Sequence, residues 1–199
     1  MAASAMSTQV FAHDRYLARR KVFSFPPKFY VRDEQDNLIA FCKRKAFKLR
    51  DDIRIYADEA MTQELLLIKA RRIIDFSNAF DVTESFSGQK VGALKRKGWR
   101  SLVKDEWTIM DASDREIGSI TEDSMALALI RRFATNIIPQ SYDFFVGGQQ
   151  VGTAAQNWNL FLPKMSVDFS ADPQKKLDRR LALAAVMLLL AIEGRQKEE

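Results

Sequence analysis

Cysteine and histidine are almost missing from this chain: Cys42 and His13 are the single copies in 199 residues. A lone cysteine excludes an internal disulfide framework and fits a reducing compartment. One residue of each kind leaves too few ligands for a zinc site and argues against a Cys–His catalytic pair. There is no nucleophile elbow, no P-loop and no G-x-G-x-x-G opening a helix. Met1 to Val10 has neither the basic start nor the long apolar stretch of a secretory signal. The longest apolar run, Leu181 to Ile192, has 12 residues, short of the ~20 that a bilayer core requires. Acidic pairs such as Asp58/Glu59 and Glu122/Asp123 fall at turns, where Asp serves backbone geometry. The expectation is a non-enzymatic protein without metal or cofactor, placed in the cytoplasm.

What is present is a sizeable core. Apolar residues make up 47% of the chain, enough for one large domain. Leu181–Ile192 (LALAAVMLLLAI) is apolar at every position. A helix of that kind has no wet face and must be enclosed by protein or lipid. At ~18 Å it is too short to span, so a helix buried in protein is expected. Asp172 is its predicted N-cap, Pro173 its first residue and Gly194 its stop.

The segment before it repeats a hairpin. Lys28–Asp33 turns into Leu38–Lys45, and Asp52–Asp58 turns into Glu64–Arg72. Phe80–Glu84 turns into Lys90–Lys97, and Trp107–Asp111 into Glu116–Thr121. Tyr142–Val146 turns at Gly147-Gly148 into Gln150–Ala155. Alternation is visible in Ile53/Ile55/Ala57, Phe80/Val82, Trp107/Ile109 and Tyr142/Phe144/Val146, as in antiparallel strands with one buried face. Adding Lys21–Phe25 and Met165–Phe169 gives about twelve strands, too many for a flat open sheet. A closed antiparallel barrel, mainly β and filled by the C-terminal helix, satisfies both signals. A second helix is predicted over Ser124–Ala134, packed outside. The expected organisation is a tail over residues 1–19, the barrel over 20–194 and a tail over 195–199.

Three basic clusters are the candidate binding residues. Lys175, Lys176, Arg179 and Arg180 fall in the first two turns of the predicted helix, where the helix dipole disfavours cations. They read either as a basic mouth for phosphate or as a solvated helix end. Lys95, Arg96, Lys97 and Arg100 flank Trp99, and Lys43, Arg44 and Lys45 lie close to Phe47. Such surfaces suit an anionic membrane; lysines on sheet edges also serve to block unwanted strand pairing. A protein partner is the alternative occupant, and nucleic acid is the least favoured.

The copies VGAL (Val91–Leu94), IGSI (Ile117–Ile120) and VGTA (Val151–Ala154), with Val167–Arg180 feeding an apolar helix, resemble the phospholipid scramblase and LURP-one-related families. These belong to the Tubby C-terminal-like superfamily. The resemblance covers about Arg20 to Gly194. It implies a barrel threaded by its C-terminal helix. It also implies docking on anionic phospholipid or phosphoinositide headgroups, peripheral to the membrane, or scramblase-like movement of phospholipid. A soluble protein-interaction scaffold is the third function considered. Scramblases place calcium ligands before the terminal helix, where this chain has Asp168, Asp172 and Asp178. A calcium loop counted from Asp168 requires Gly and Glu where Pro173 and Arg179 stand. Calcium binding is therefore not expected. Scramblases also carry a Cys-rich tail, and residues 1–19 hold no Cys, so lipid attachment by that route is not expected.

Overall fold

A computed structural model describes residues 10–21, 24, 26–43, 52–71, 79–97, 106–122, 140–157 and 164–196. The expected helix over 124–134 lies outside the described residues. Twelve strands run in chain order: β1 Arg15–Arg20, β2 Lys28–Arg32, β3 Leu38–Lys43, β4 Ile53–Tyr56, β5 Glu64–Ala70 and β6 Ala79–Glu84. They continue as β7 Lys90–Arg96, β8 Glu106–Asp111, β9 Glu116–Glu122, β10 Ser141–Val146, β11 Gln149–Gln156 and β12 Lys164–Asp168. Each pairs antiparallel with its neighbours in sequence, and β1 pairs with β12 to close the barrel. The helix α1 spans Arg179–Gln196.

The five hairpins share a device beyond their turns. In each, one residue of the second strand is left out of register: Ile39, Leu65, Val91, Ile117 and Val151. Their spacings are 26, 26, 26 and 34 residues. A bulge bends its strand and increases local twist, so one bulge per hairpin curls the sheet toward closure. The residue after three of these bulges is glycine. At Gly152 a Cβ would stand 2.1 Å from the Phe169 ring, and at Gly92 it would stand 2.4 Å from the Met110 carbonyl oxygen. Both glycines let a neighbour come closer than any side chain permits.

The turns are built by carboxylates. Asp33 accepts from the backbone of Gln35 and Asn37, Asp58 from Thr62, and Asp111 from Ser113 and Arg115. These are the Asx-type turns that Asp favours. The backbone N–H and side-chain donors hold all three carboxyls below their ordinary range.

Alternation places Tyr16, Ala18, Phe29, Val82, Ile109, Phe144 and Val167 on the inner faces, in one cluster with Leu181–Ala191. Every residue from Leu181 to Ala191 is buried. The helix therefore fills the barrel, as its all-apolar run requires. Cys42 belongs to the same core.

Three expectations are corrected. Arg15–Arg20, read within the tail, is a strand, whereas Lys21–Phe25 has no strand among its described residues. Its pairing partner β12 lies some 150 residues away in sequence, a tertiary contact that local pattern does not carry. The helix does not begin at Asp172-Pro173. Asp178 caps it, accepting from the Arg180 backbone N–H at 2.9 Å. Gly194 does not stop it either, since helical backbone continues to Gln196.

Candidate functional site

In an up-and-down barrel alternate connections lie at opposite rims. One rim carries the five hairpin turns and the β12–α1 connection, where the helix enters. Lys175, Lys176, Arg179 and Arg180 sit at this hairpin rim, around a cleft of about 440 Å³ that Phe11, Ala12, Glu84 and Asp178 complete. They do not occupy two helical turns. Lys175 has a left-handed backbone (φ 51°) and stands before the helix with Lys176, so the expected placement of both lysines in the first helical turns, against the dipole, does not arise.

Arg179 is not a solvated cation. Its side chain is 3% exposed and pairs with Asp172, 1% exposed, at 3.0 Å. It donates to Asp14 Oδ1 from Nε (2.9 Å) and Nη2 (2.7 Å). It also donates to the carbonyls of Phe169, Asp172 and Leu177, and its guanidinium lies over the Phe169 ring at 5.2 Å. Burial pushes the Asp172 carboxyl upward, but the backbone N–H groups of Leu177 and Lys176 and the Arg179 guanidinium outweigh it and hold the carboxyl low. Arg179 thus ties the N-terminal segment, the β12–α1 connection and the helix start together. Arg180 is held by Asp178 (2.6 Å) and Glu84 (3.0 Å). Lys176 donates to Gln149 at 2.6 Å, and Lys175 has no ion pair among the described residues. The three aspartates considered for calcium are engaged by Ser170 and Arg15, by Arg179, and by Arg180 respectively.

The other clusters lie at the opposite rim. Lys43 ends β3, Lys95 and Arg96 end β7, and Lys97 follows with an ion pair to Glu106 at 2.5 Å. Arg44, Lys45 and Arg100 lie outside the described residues. The eleven candidates therefore do not form one surface. The fold splits the described ones between two rims and neutralises two of those at the helix entrance.

Charge follows the same division. Count the hairpin turns, the β12–α1 connection and the residues flanking them. Thirteen are acidic against six basic. At the opposite rim, the described connecting residues and their flanks hold eight basic against three acidic. Sequence reading missed Asp14, which pairs with Arg179, and the basic residues of β1, β2 and β12. A signal existed in the charge-rich RYLARR of Arg15–Arg20, but without its distant partner it read as tail.

No curated protein matches the chain. A family model described as LURP-one-related matches residues 39–190, from β3 to within the helix. With that match over most of its length, the chain belongs to the LURP-one-related family.

Proposed function

We propose that this barrel is a non-enzymatic module that docks on anionic phospholipid surfaces, peripherally and from the cytoplasmic side, with the rim opposite the hairpins facing the membrane. The observation that carries the reading is the separation of charge between the rims. A barrel acid-rich at one rim and basic at the other orients itself in the field of an anionic surface before contact. Each cation near such a surface adds about 1 kcal/mol. Of the eight basic residues counted there, Lys28 is paired with Glu59, Arg71 with Asp81 and Asp114, and Lys97 with Glu106. The attraction therefore rests on the rim's basic excess over its acids and not on every cation separately. The threaded barrel supports placing the chain with the Tubby C-terminal-like superfamily. Scramblase-like transport finds less support. No helix among the described residues is long and apolar enough to cross a membrane, and releasing Leu181–Ala191 would empty the core.

The test is co-sedimentation of the full chain with neutral and anionic vesicles at low and high salt. Binding to anionic vesicles that high salt abolishes is expected, because surface charge is screened over about 10 Å at 0.1 M salt. Absence of binding to both vesicles overturns the reading and favours a scaffold for protein partners.

A further inference from the structure

We propose that the cleft at the helix entrance binds an acidic peptide segment of a partner protein, taking its carboxylates on Lys175 and Lys176 and its apolar side chains on Phe11 and Phe86. The inference stands apart from the membrane-docking reading, which concerns the opposite rim.

The two lysines are the exception at their rim. Arg15, Arg32, Lys90, Arg115, Arg179 and Arg180 each hold a carboxylate there. Lys175 and Lys176 hold none among the described residues, although acids outnumber bases around them. Lys176 spends one donor on the neutral Gln149 side chain at 2.6 Å. An ammonium carries three donors and both side chains are exposed, so most of their hydrogen-bonding capacity is left to solvent.

The connection that carries them has no use for a lysine at 175. Asp172 organises it: its carbonyl takes the Lys175 N–H at 3.0 Å, and its carboxylate takes those of Lys176 and Leu177. Lys175 is left-handed in this turn, with φ 51°. Glycine or asparagine enters that conformation at lower cost. The ammonium is therefore the one thing lysine adds.

Both lysines line the cleft of about 440 Å³, a volume within the range of ligand sites. Phe11 and Ala12 give it an apolar wall, and the carboxylates of Glu84 and Asp178 are taken up by Arg180. The unanswered charge in the cleft is thus positive. Two residues beyond Glu84, in the β6–β7 turn, Phe86 is 61% exposed. Phe86 and Met61 are the large apolar side chains left exposed among the described residues. A bare aromatic at a hairpin tip meets no folding need and is the kind of side chain that anchors protein interfaces.

Charge selects the occupant. An anionic bilayer is broad, and would bring its charge against the thirteen acids of this rim as well as against the lysines. A peptide is narrow enough to offer its carboxylates to the lysines alone. The surrounding acids also turn away a uniformly negative segment, so acids interspersed with large apolar residues fit best.

The experiment selects a random-peptide display library against the full chain and titrates the enriched peptides by fluorescence anisotropy. Enrichment of Asp or Glu next to Leu, Phe or Trp is expected. Lys175→Asn/Lys176→Gln should weaken the best peptide about tenfold. Its melting temperature should be unchanged or raised, since Asn suits the left-handed position. Phe86→Ser should weaken the peptide without loss of stability, and Lys69→Gln on β5 should bind as wild type does. Peptides without an acidic bias, or peptides whose affinity survives replacement of both lysines, overturn the proposal, as does a selection that enriches nothing. Loss of anionic-vesicle binding in the lysine variant overturns it too, and assigns the cleft to a lipid headgroup.

Discussion

Arg179 offers the sharpest test of how the barrel is closed at its helix entrance. Replacing it with Met keeps much of the stem volume and removes every guanidinium bond. Asp172, 1% exposed, then stays buried without its counter-ion, and the carbonyls of Phe169, Asp172 and Leu177 lose a donor. Removing one partner of a buried pair costs about 3–5 kcal/mol. Asp172 keeps the backbone donors of Lys176 and Leu177, which places the expected loss at the low end, about 3 kcal/mol. For a chain of this size that is a fall in Tm of about 6–12 °C. Asp14 is 39% exposed, so Asp14→Ala should cost less than about 1 kcal/mol. Urea unfolding of the three proteins measures both losses, with an unchanged m-value showing that only stability moved. Arg179→Met within about 0.5 kcal/mol of wild type would refute the argument that this residue is a structural tie. The same variant, assayed below its melting temperature, should bind anionic vesicles as wild type does, because its guanidinium is already saturated.

Three further outcomes follow from the same packing. Gly152→Ala drives a methyl into the Phe169 ring, 2.1 Å from its nearest carbon, and should cost about 1–3 kcal/mol by overpacking, read as a lower urea midpoint. Leu188→Asp places a charge where exposure is 1%, and a chain ending at Asp172 lacks the helix; both should be insoluble, and a soluble, cooperatively melting product of either change would contradict the filled barrel. Acid should unfold the protein through Asp33, Asp58, Asp111, Asp168 and Asp172, whose folded carboxyls all titrate below their usual range. The unfolded chain binds the extra protons, so their stabilisation is complete above about pH 4 and lost as pH falls through the lowered values; a Tm flat from pH 5 to pH 2 would contradict this.

The barrel was legible because its strands alternate and its hairpins repeat. Phe80/Val82 and Tyr142/Phe144 declare a buried face, and the run at Leu181 declares a helix without a wet side. The bulge that recurs with them was only half visible. It falls on the residue before glycine in VGAL, IGSI and VGTA, but the first two copies carry Ala40 and Leu66 instead, so the shared period did not show. The helix start was misread for a chemical reason. Asp172-Pro173 has the composition of an N-cap and first turn. Its carboxylate does accept backbone N–H groups, but those of Lys176 and Leu177 in a tight connection. The same acceptor chemistry serves two local structures, and the buried Arg179 decides between them.

The charge division that supports the functional reading has its origin in that turn chemistry. An antiparallel hairpin rewards Asp at its corner because the carboxylate can take two or three backbone donors at once, as Asp33 and Asp111 do. Repetition of the hairpin in an up-and-down barrel sends every such corner to one rim. Acidity at the hairpin rim is therefore a by-product of folding and carries little information about a partner. The opposite rim has no comparable backbone demand on Lys or Arg. Its cations at Lys28/Lys43 and Arg19/Lys164 stand in like-charged cross-strand pairs that folding alone would disfavour. Glu59 beside Lys28 and the Tyr30 ring under Arg19 offset part of that cost, and it is this basic rim, rather than the tied arginines at the helix entrance, on which the proposed membrane docking stands or falls.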